Sequence, residues 1–174
     1  MFSIKKASFL VLATCLVALA TFNNSCGVYS FADVSIPDSI KSIRINFIEN
    51  RAPYVNPQLS PTLTDRVKQK IINQTRLTQT NNDNAHYDVK GYISDYSVST
   101  TGVSQNRGVM NRLTVAVHIT LTNQLAGTPP QEFDVSRSFE FSASRSLQSA
   151  ESELMEEMVR NLTDDIFNRI FSNW

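Results

Sequence analysis

The sequence predicts an α+β domain: a two-layer sandwich with two helices packed on one face of a four-stranded, largely antiparallel sheet, in the order β-α-β-β-β-α. Three observations carry this. Two stretches repeat apolar residues every three or four positions, and four others alternate apolar with polar residues. The alternation leaves one face of most strands polar, which suits a sheet covered on one side only.

The first strand is SIRINFIE, where Ile43, Ile45 and Phe47 alternate with Ser42, Arg44 and Asn46. NRAPYVNPQLS follows as a loop, because Pro53 and Pro57 block regular structure. Ser60 and Pro61 then read as an N-cap and a first helical residue, and Leu63, Val67 and Ile71 fall four apart, so a helix runs to about Thr75. Its opposite face holds Arg66, Lys68, Gln69 and Lys70. Thr78 to Asn84 is polar turn material. Residues 87–99 form the second strand, in which the phase set by Val89, Gly91 and Ile93 gives way to Tyr96 and Val98; a bulge near Gly91 or Asp95 accounts for the change.

After a loop from Thr100 to Met110, the third strand is the most regular: Leu113, Val115, Val117, Ile119 and Leu121 face one way, and Thr114, Ala116, His118, Thr120 and Thr122 the other. A turn at Gly127, Pro129 and Pro130 leads to the fourth, where Phe133, Val135, Phe139 and Phe141 share a phase with the charged Arg137. From about Ser149, Leu154, Met155, Met158, Val159, Leu162, Ile166, Phe167, Ile170, Phe171 and Trp174 make a wide helical stripe. Glu151, Glu153, Glu156 and Glu157 are expected to be solvated in its early turns, where they suit the helix dipole.

The chain begins differently. Lys5 and Lys6 precede an apolar run from Ala7 to Phe22, followed by Asn23, Asn24 and Ser25, the layout of an export signal. The run falls short of the ~20 apolar residues that cross a bilayer. Residues 1–25 therefore read as a lipoprotein signal peptide, Cys26 as the lipidated first residue of the mature chain, 26–39 as a tether and 40–174 as one domain. Small Ser25 and Gly27 flank Cys26, although Asn23 stands where such a site usually has leucine. The alternative is an ordinary thiol, free or bridged to Cys15. Cleavage before Cys26 removes Cys15, leaving a lone thiol that thioether lipidation would mask. Stable anchoring needs more than one acyl chain, a condition met by diacylglycerol plus an N-acyl group.

Removing residues 1–25 leaves 149 residues with fourteen Lys and Arg against sixteen Asp and Glu, a net charge of −2 that argues against nucleic acid as a partner. No catalytic residue, cofactor or metal motif is predicted: GxSxG, HExxH, a phosphate-cradling glycine loop and an EF-hand pattern are all absent. His86 and His118 read as exposed or pocketed, and Asp164 and Asp165, about 100° apart on a helix, as solvated charges. An anionic ligand could use Arg66, Lys68, Lys70, Arg112 and Arg137, since guanidinium and ammonium groups suit the phosphates of lipid A and of the inner core.

Several strings, in order, resemble one family: CGVYSF at 26–31, NRAPYVNPQLS at 50–60, GYISDYSV at 91–98, NRLTVAVHITLTN at 111–123, DDIFN at 164–168 and the terminal NW. The sequence resembles the LptE family of lipopolysaccharide-assembly lipoproteins in its Bacteroidota form. The resemblance implies a lipid-anchored protein on the periplasmic side of the outer membrane that sits inside the large β-barrel LptD, as plug and assembly partner, with lipopolysaccharide a possible ligand. It implies the same helix-on-sheet fold and no catalytic residues. The loops Asn50–Pro57 and Thr100–Met110 are the expected barrel contacts. An independent lipid- or glycan-binding envelope lipoprotein is the alternative.

Overall fold

The computed structural model describes residues 36–101 and 109–171; Cys26, the 1–25 leader, the tether up to residue 35, residues 102–108 and Trp174 lie outside them. Among the described residues, six strands and two helices occur in the order β1 (Ser42–Ile45), β2 (Glu49–Asn50), α1 (Leu59–Gln74), β3 (Thr78–Gln79), β4 (Tyr87–Thr101), β5 (Met110–Asn123), β6 (Gln131–Ser142) and α2 (Leu147–Phe171). They form one mixed sheet in the order β3-β1-β4-β5-β6, with β2 also paired to β4. β1 runs parallel to β3 and β4, whereas β4, β5 and β6 are antiparallel. The α+β class and the mostly antiparallel sheet are as predicted; the sheet has six strands rather than four.

The two additional strands have local causes. The predicted first strand breaks after Ile45 because the Asn46 side chain enters the ladder, its Nδ2 donating to Asp88 Oδ1 at 2.7 Å and to Val89 O at 2.9 Å. The phase then shifts: Phe47, expected inward, is 54% exposed, and Ile48 is buried in its place. β3 lies in the segment expected to be a turn. Thr78 N–H donates to Lys41 O and Thr80 N–H to Ile43 O, so polar residues complete a sheet edge through their backbones alone.

The bulge falls between Ile93 and Asp95 and switches the buried phase from Val89 and Ile93 to Tyr96. Gly91, just before it, is required for a close approach. A Cβ there would lie 2.6 Å from Ile119 Cδ1 and 3.0 Å from His118 O. Because the backbone oxygen cannot yield as the Ile119 methyl can, Gly91→Ala is expected to destabilise the domain by about 1–3 kcal/mol, read as a lower urea midpoint at unchanged slope.

α1 begins one residue before the predicted Ser60 cap. Gln58 occupies the N-cap without a side-chain hydrogen bond, Ser60 is buried in the first turn, and Asn56 Oδ1 instead accepts the Gln58 N–H at 3.0 Å. Leu59, Leu63, Val67 and Ile71 form its buried face. In α2, Met158, Val159, Leu162, Ile166, Phe167 and Phe171 are buried, with Leu154, Met155 and Ile170 packed against them. These residues meet the inward side chains of all three long strands, so both helices cover one face of the sheet.

One expectation fails in α2: Glu151 is 6% exposed rather than solvated. The helix starts at Leu147, which carries Glu151 past the first turn and onto the inward face. There its Oε1 accepts the Tyr96 O–H at 2.7 Å and its Oε2 the Tyr54 O–H at 3.3 Å, while the two tyrosine rings stack with centroids 5.3 Å apart. Burial, followed by the bond to the glutamate, raises the Tyr96 pKa well above the usual phenol value. This contact fastens the NRAPYVNPQLS loop to the core.

Candidate functional site

The uncovered face of the sheet is a lattice of cross-strand polar pairs. Strand register places Glu49, Tyr92, His118 and Asp134 in one row across β2, β4, β5 and β6. His118 Nδ1 lies 2.9 Å from Asp134 Oδ1, its ring sits 5.1 Å from that of Tyr92, and the Arg51 guanidinium lies over the Tyr92 ring at 4.5 Å. Thr114 and Ser138 pair at 3.0 Å, and Arg112 pairs with Glu140 at 3.1 Å. His86 is a local tie, its Nδ1 accepting the Lys41 N–H at 3.0 Å. Among the described residues no group of three or more His, Cys, Asp or Glu side chains could hold a metal ion.

On the same face, Arg44 of β1 and Asp88 of β4 are register partners. Asp88 is only 3% exposed and accepts two bonds from Arg44, at 2.8 and 3.1 Å, and one from Asn46; Arg44 also reaches Asp83. Burial alone would raise the Asp88 pKa. The hydrogen bonds from Arg44 and Asn46 outweigh it and hold the carboxyl below the ordinary aspartate value. The sequence places Arg44 on the polar phase of the first strand, but nothing in it marks Asp88 as its partner.

The five predicted cations do not converge. Arg112 lies on the uncovered face. Arg137, opposite Val115 in register, turns toward the helices and forms a two-pronged pair with Asp165 at 2.5 and 2.6 Å. Its place in an apolar phase is thus explained by a carboxylate supplied by α2 at the rim of the sheet. Lys68 is half-buried on α1, whereas Arg66 and Lys70 line a cleft between the helices.

That cleft, about 260 Å³, is also lined by Asn73, Arg160, Thr163 and Asp164. Lys70 Nζ bonds Asp164 Oδ1 at 2.7 Å and lies 5.1 Å from the Phe167 ring. Asp164 and Asp165 are therefore ion-paired rather than free solvated charges, and the ~100° between consecutive helical residues is what sends one to α1 and the other to β6. Thr163 is buried, with no hydrogen-bond partner for its Oγ1 among the described residues. Arg160 was missed because its position one turn before Asp164 matters only once the two helices are aligned. The cleft thus gathers three cations, one acid, amide side chains and an unpaired hydroxyl, a donor-rich surface for an anionic, hydroxylated ligand.

Several solved structures resemble this chain at low sequence identity. A neuraminyllactose-binding hemagglutinin homologue from Helicobacter pylori superposes with a TM-score of 0.54 at 9% identity, covering 76% of this chain and 83% of its own. A minor lipoprotein from Acinetobacter baumannii gives 0.41 at 13% identity over 75% and 93% of the two chains. A lipoprotein from Neisseria meningitidis gives 0.41 at 13% over 74% and 99%. For the Helicobacter pylori protein, at 9% identity, the likeness is one of fold alone. No curated protein matches the chain in sequence. The family model for LptE, lipopolysaccharide-assembly, matches residues 40–170, from two residues before β1 through nearly all of α2, and the chain belongs to that family.

Proposed function

We propose that the protein is the outer-membrane lipoprotein subunit of a lipopolysaccharide-transport translocon, a non-enzymatic plug and assembly partner of an LptD-like β-barrel. The observation that carries this is the family match over residues 40–170. On this reading residues 1–25 are removed on export, lipid on Cys26 holds the chain to the periplasmic side of the outer membrane, 26–39 is the tether and 40–174 the seated domain. The uncovered sheet face supports it. The interior of a large outer-membrane barrel is polar, and a surface whose charges are already paired in the free protein can lie against such a wall without stranding a lone ion. Depletion of the protein is expected to lower the amount of folded barrel in the outer membrane; an unchanged amount would contradict an assembly role. The mature N-terminal peptide should carry diacylglycerol and an acyl chain at Cys26, detected as added mass.

The interhelical cleft is the proposed contact for anionic groups of lipopolysaccharide. Of the five cations named from sequence, Arg112 and Arg137 are committed to Glu140 and Asp165, and Lys70 is shared with Asp164. Arg66 and the newly placed Arg160 are the ones left to meet a ligand, with Lys68 beside them on α1. Reversing both arginines to glutamate is expected to weaken binding of lipopolysaccharide micelles by about tenfold or more, in line with the loss of two charge-assisted bonds, while Arg112→Glu leaves it within twofold. Binding retained by the double variant would remove the cleft from the account. Binding by the purified chain with no barrel in the membrane would favour an independent glycan- or lipid-binding lipoprotein.

A further inference from the structure

We propose that the free edge of β4 over Ser97–Thr101 accepts an extended, uncharged segment of the barrel partner as an added β-strand. This rests on the plug reading given above. The β1/β2 side of β4 is occupied only as far as Ile93, where Arg51 N–H donates to Ile93 O at 3.0 Å. Tyr54 then covers Tyr96. From Ser97 onward, among the described residues, β4 has a strand neighbour on its β5 side alone.

The direction of the backbone groups follows from chirality. Residues of one strand that share a face also share the side to which their N–H and C=O point. Val89 and Ile93 face the helices and direct their carbonyls toward β1 and β2, to Asn46 and Arg51. Beyond the bulge the helix-facing residues are Tyr96, Val98 and Thr100, so Val98 and Thr100 present their N–H and C=O groups to the vacant flank.

Among the described residues the edges of the sheet are treated differently. β6 carries Glu132, Asp134, Arg137 and Glu140, and β3 is two residues long; both are ordinary means of keeping an edge from pairing with another chain. Ser97-Val98-Ser99-Thr100-Thr101 has neither. It is uncharged, contains no proline, and three of its five residues are β-branched. Val98 belongs to the helix-facing phase, opposite the buried Leu113, and yet is 42% exposed.

Two other occupants fit less well. The chain's own lead starts from Ile36, which is tied to Arg76 at the end of the sheet where Ile43 pairs with Tyr87. To pair along Ser97–Thr101 that lead would have to run from Tyr87 to Thr101, ~45 Å of strand, whereas on the plug reading, with residues 1–25 removed, residues 26–35 span at most ~36 Å when fully extended. A second copy would bring a single exposed apolar side chain from each edge, far below the ~1,200 Å² that stable interfaces bury. A strand that belongs to a larger partner gains its affinity from contacts elsewhere and uses this edge for register, with a small or apolar side chain over Val98 and Tyr54.

The test uses the full chain in its barrel complex from native outer membrane, with hydrogen exchange followed over residues 94–101 in the complex and in the free chain. Amides of Val98 and Thr100 are expected to exchange at least ~10-fold more slowly in the complex. Val98→Pro and Val98→Lys should each lower barrel recovery several-fold, yet melt as wild type does, because the Val98 N–H takes no part in the β4–β5 ladder. A barrel complex in which these amides exchange as fast as in the free chain overturns the edge assignment and leaves the plug reading standing. Equal slowing in the purified chain alone, at a concentration where it dimerises, overturns it in favour of self-pairing. Recovery of the wild-type chain with no barrel overturns both.

Discussion

Met158→Asp is expected to leave the domain without a cooperative unfolding transition. Met158 is 0% exposed in α2 and belongs to the same buried cluster as Leu162 and Ile166. A carboxylate there loses its hydration, and none of the buried polar or charged residues among those described is a cation that could pair with it. The penalty joins the loss of a buried side chain worth roughly 1.5–3 kcal/mol, against a total stability of only about 5–15 kcal/mol for a domain of this kind. A thermal melt followed by circular dichroism checks it, with the exposed Glu157→Ala as the control expected to melt within a few degrees of wild type. A melting temperature near wild type for Met158→Asp would mean that α2 is not the block of core described above.

Asp88→Ala should have the next largest effect, a loss of about 2–3 kcal/mol, because it strands the Arg44 and Asn46 donors against a nearly buried site. Asp83 remains for Arg44 to bond, which keeps the loss below that of a fully orphaned ion pair. The same residue sets a pH dependence. Its carboxyl is held below the ordinary aspartate value in the folded state, so its contribution is complete above the unfolded-state pKa, near ~4, and is lost as pH falls through the folded-state value. Wild-type stability should therefore decline below about pH 4, and Asp88→Asn should show a shallower decline over that range from a lower starting point. Parallel acid profiles for the two proteins would remove Asp88 from the explanation.

What could be read from the chain, and what could not, divides along a physical line. β5 was legible residue by residue because alternation over fourteen residues has one solution when a single face is buried. The bulge was legible because a change of phase within one strand needs an extra residue. α2 was legible as a stripe, but not as a neighbour: the burial of Glu151 depends on two tyrosines from a loop and from β4, far away in sequence. β3 and the break at Asn46 depend on one segment filling the hydrogen bonds of another, which local periodicity does not encode.

The cations show the same division. Residue type and helical face identified Arg66 and Lys70 as neighbours on α1, but their cleft exists only where α2 adds Arg160, Thr163 and Asp164. In sequence Arg137 stands out as a charge in an inward phase, which calls for either a bulge that turns it outward or a pocket with a carboxylate partner, and the choice between them depends on α2. At an edge strand beneath a helix the inward direction opens onto Asp165, and a charged residue is satisfied there. The strings that resembled the LptE family include the Tyr54 loop and both aspartates of DDIFN, residues to which the structure gives specific packing and pairing roles.

The central claim is that this domain works while seated in a barrel. It is tested most directly by purifying the full-length chain from native outer membrane in mild detergent through a C-terminal tag and weighing what elutes with it. The account predicts one large β-barrel protein in an amount equal to the chain; elution of the chain with no barrel protein would contradict it.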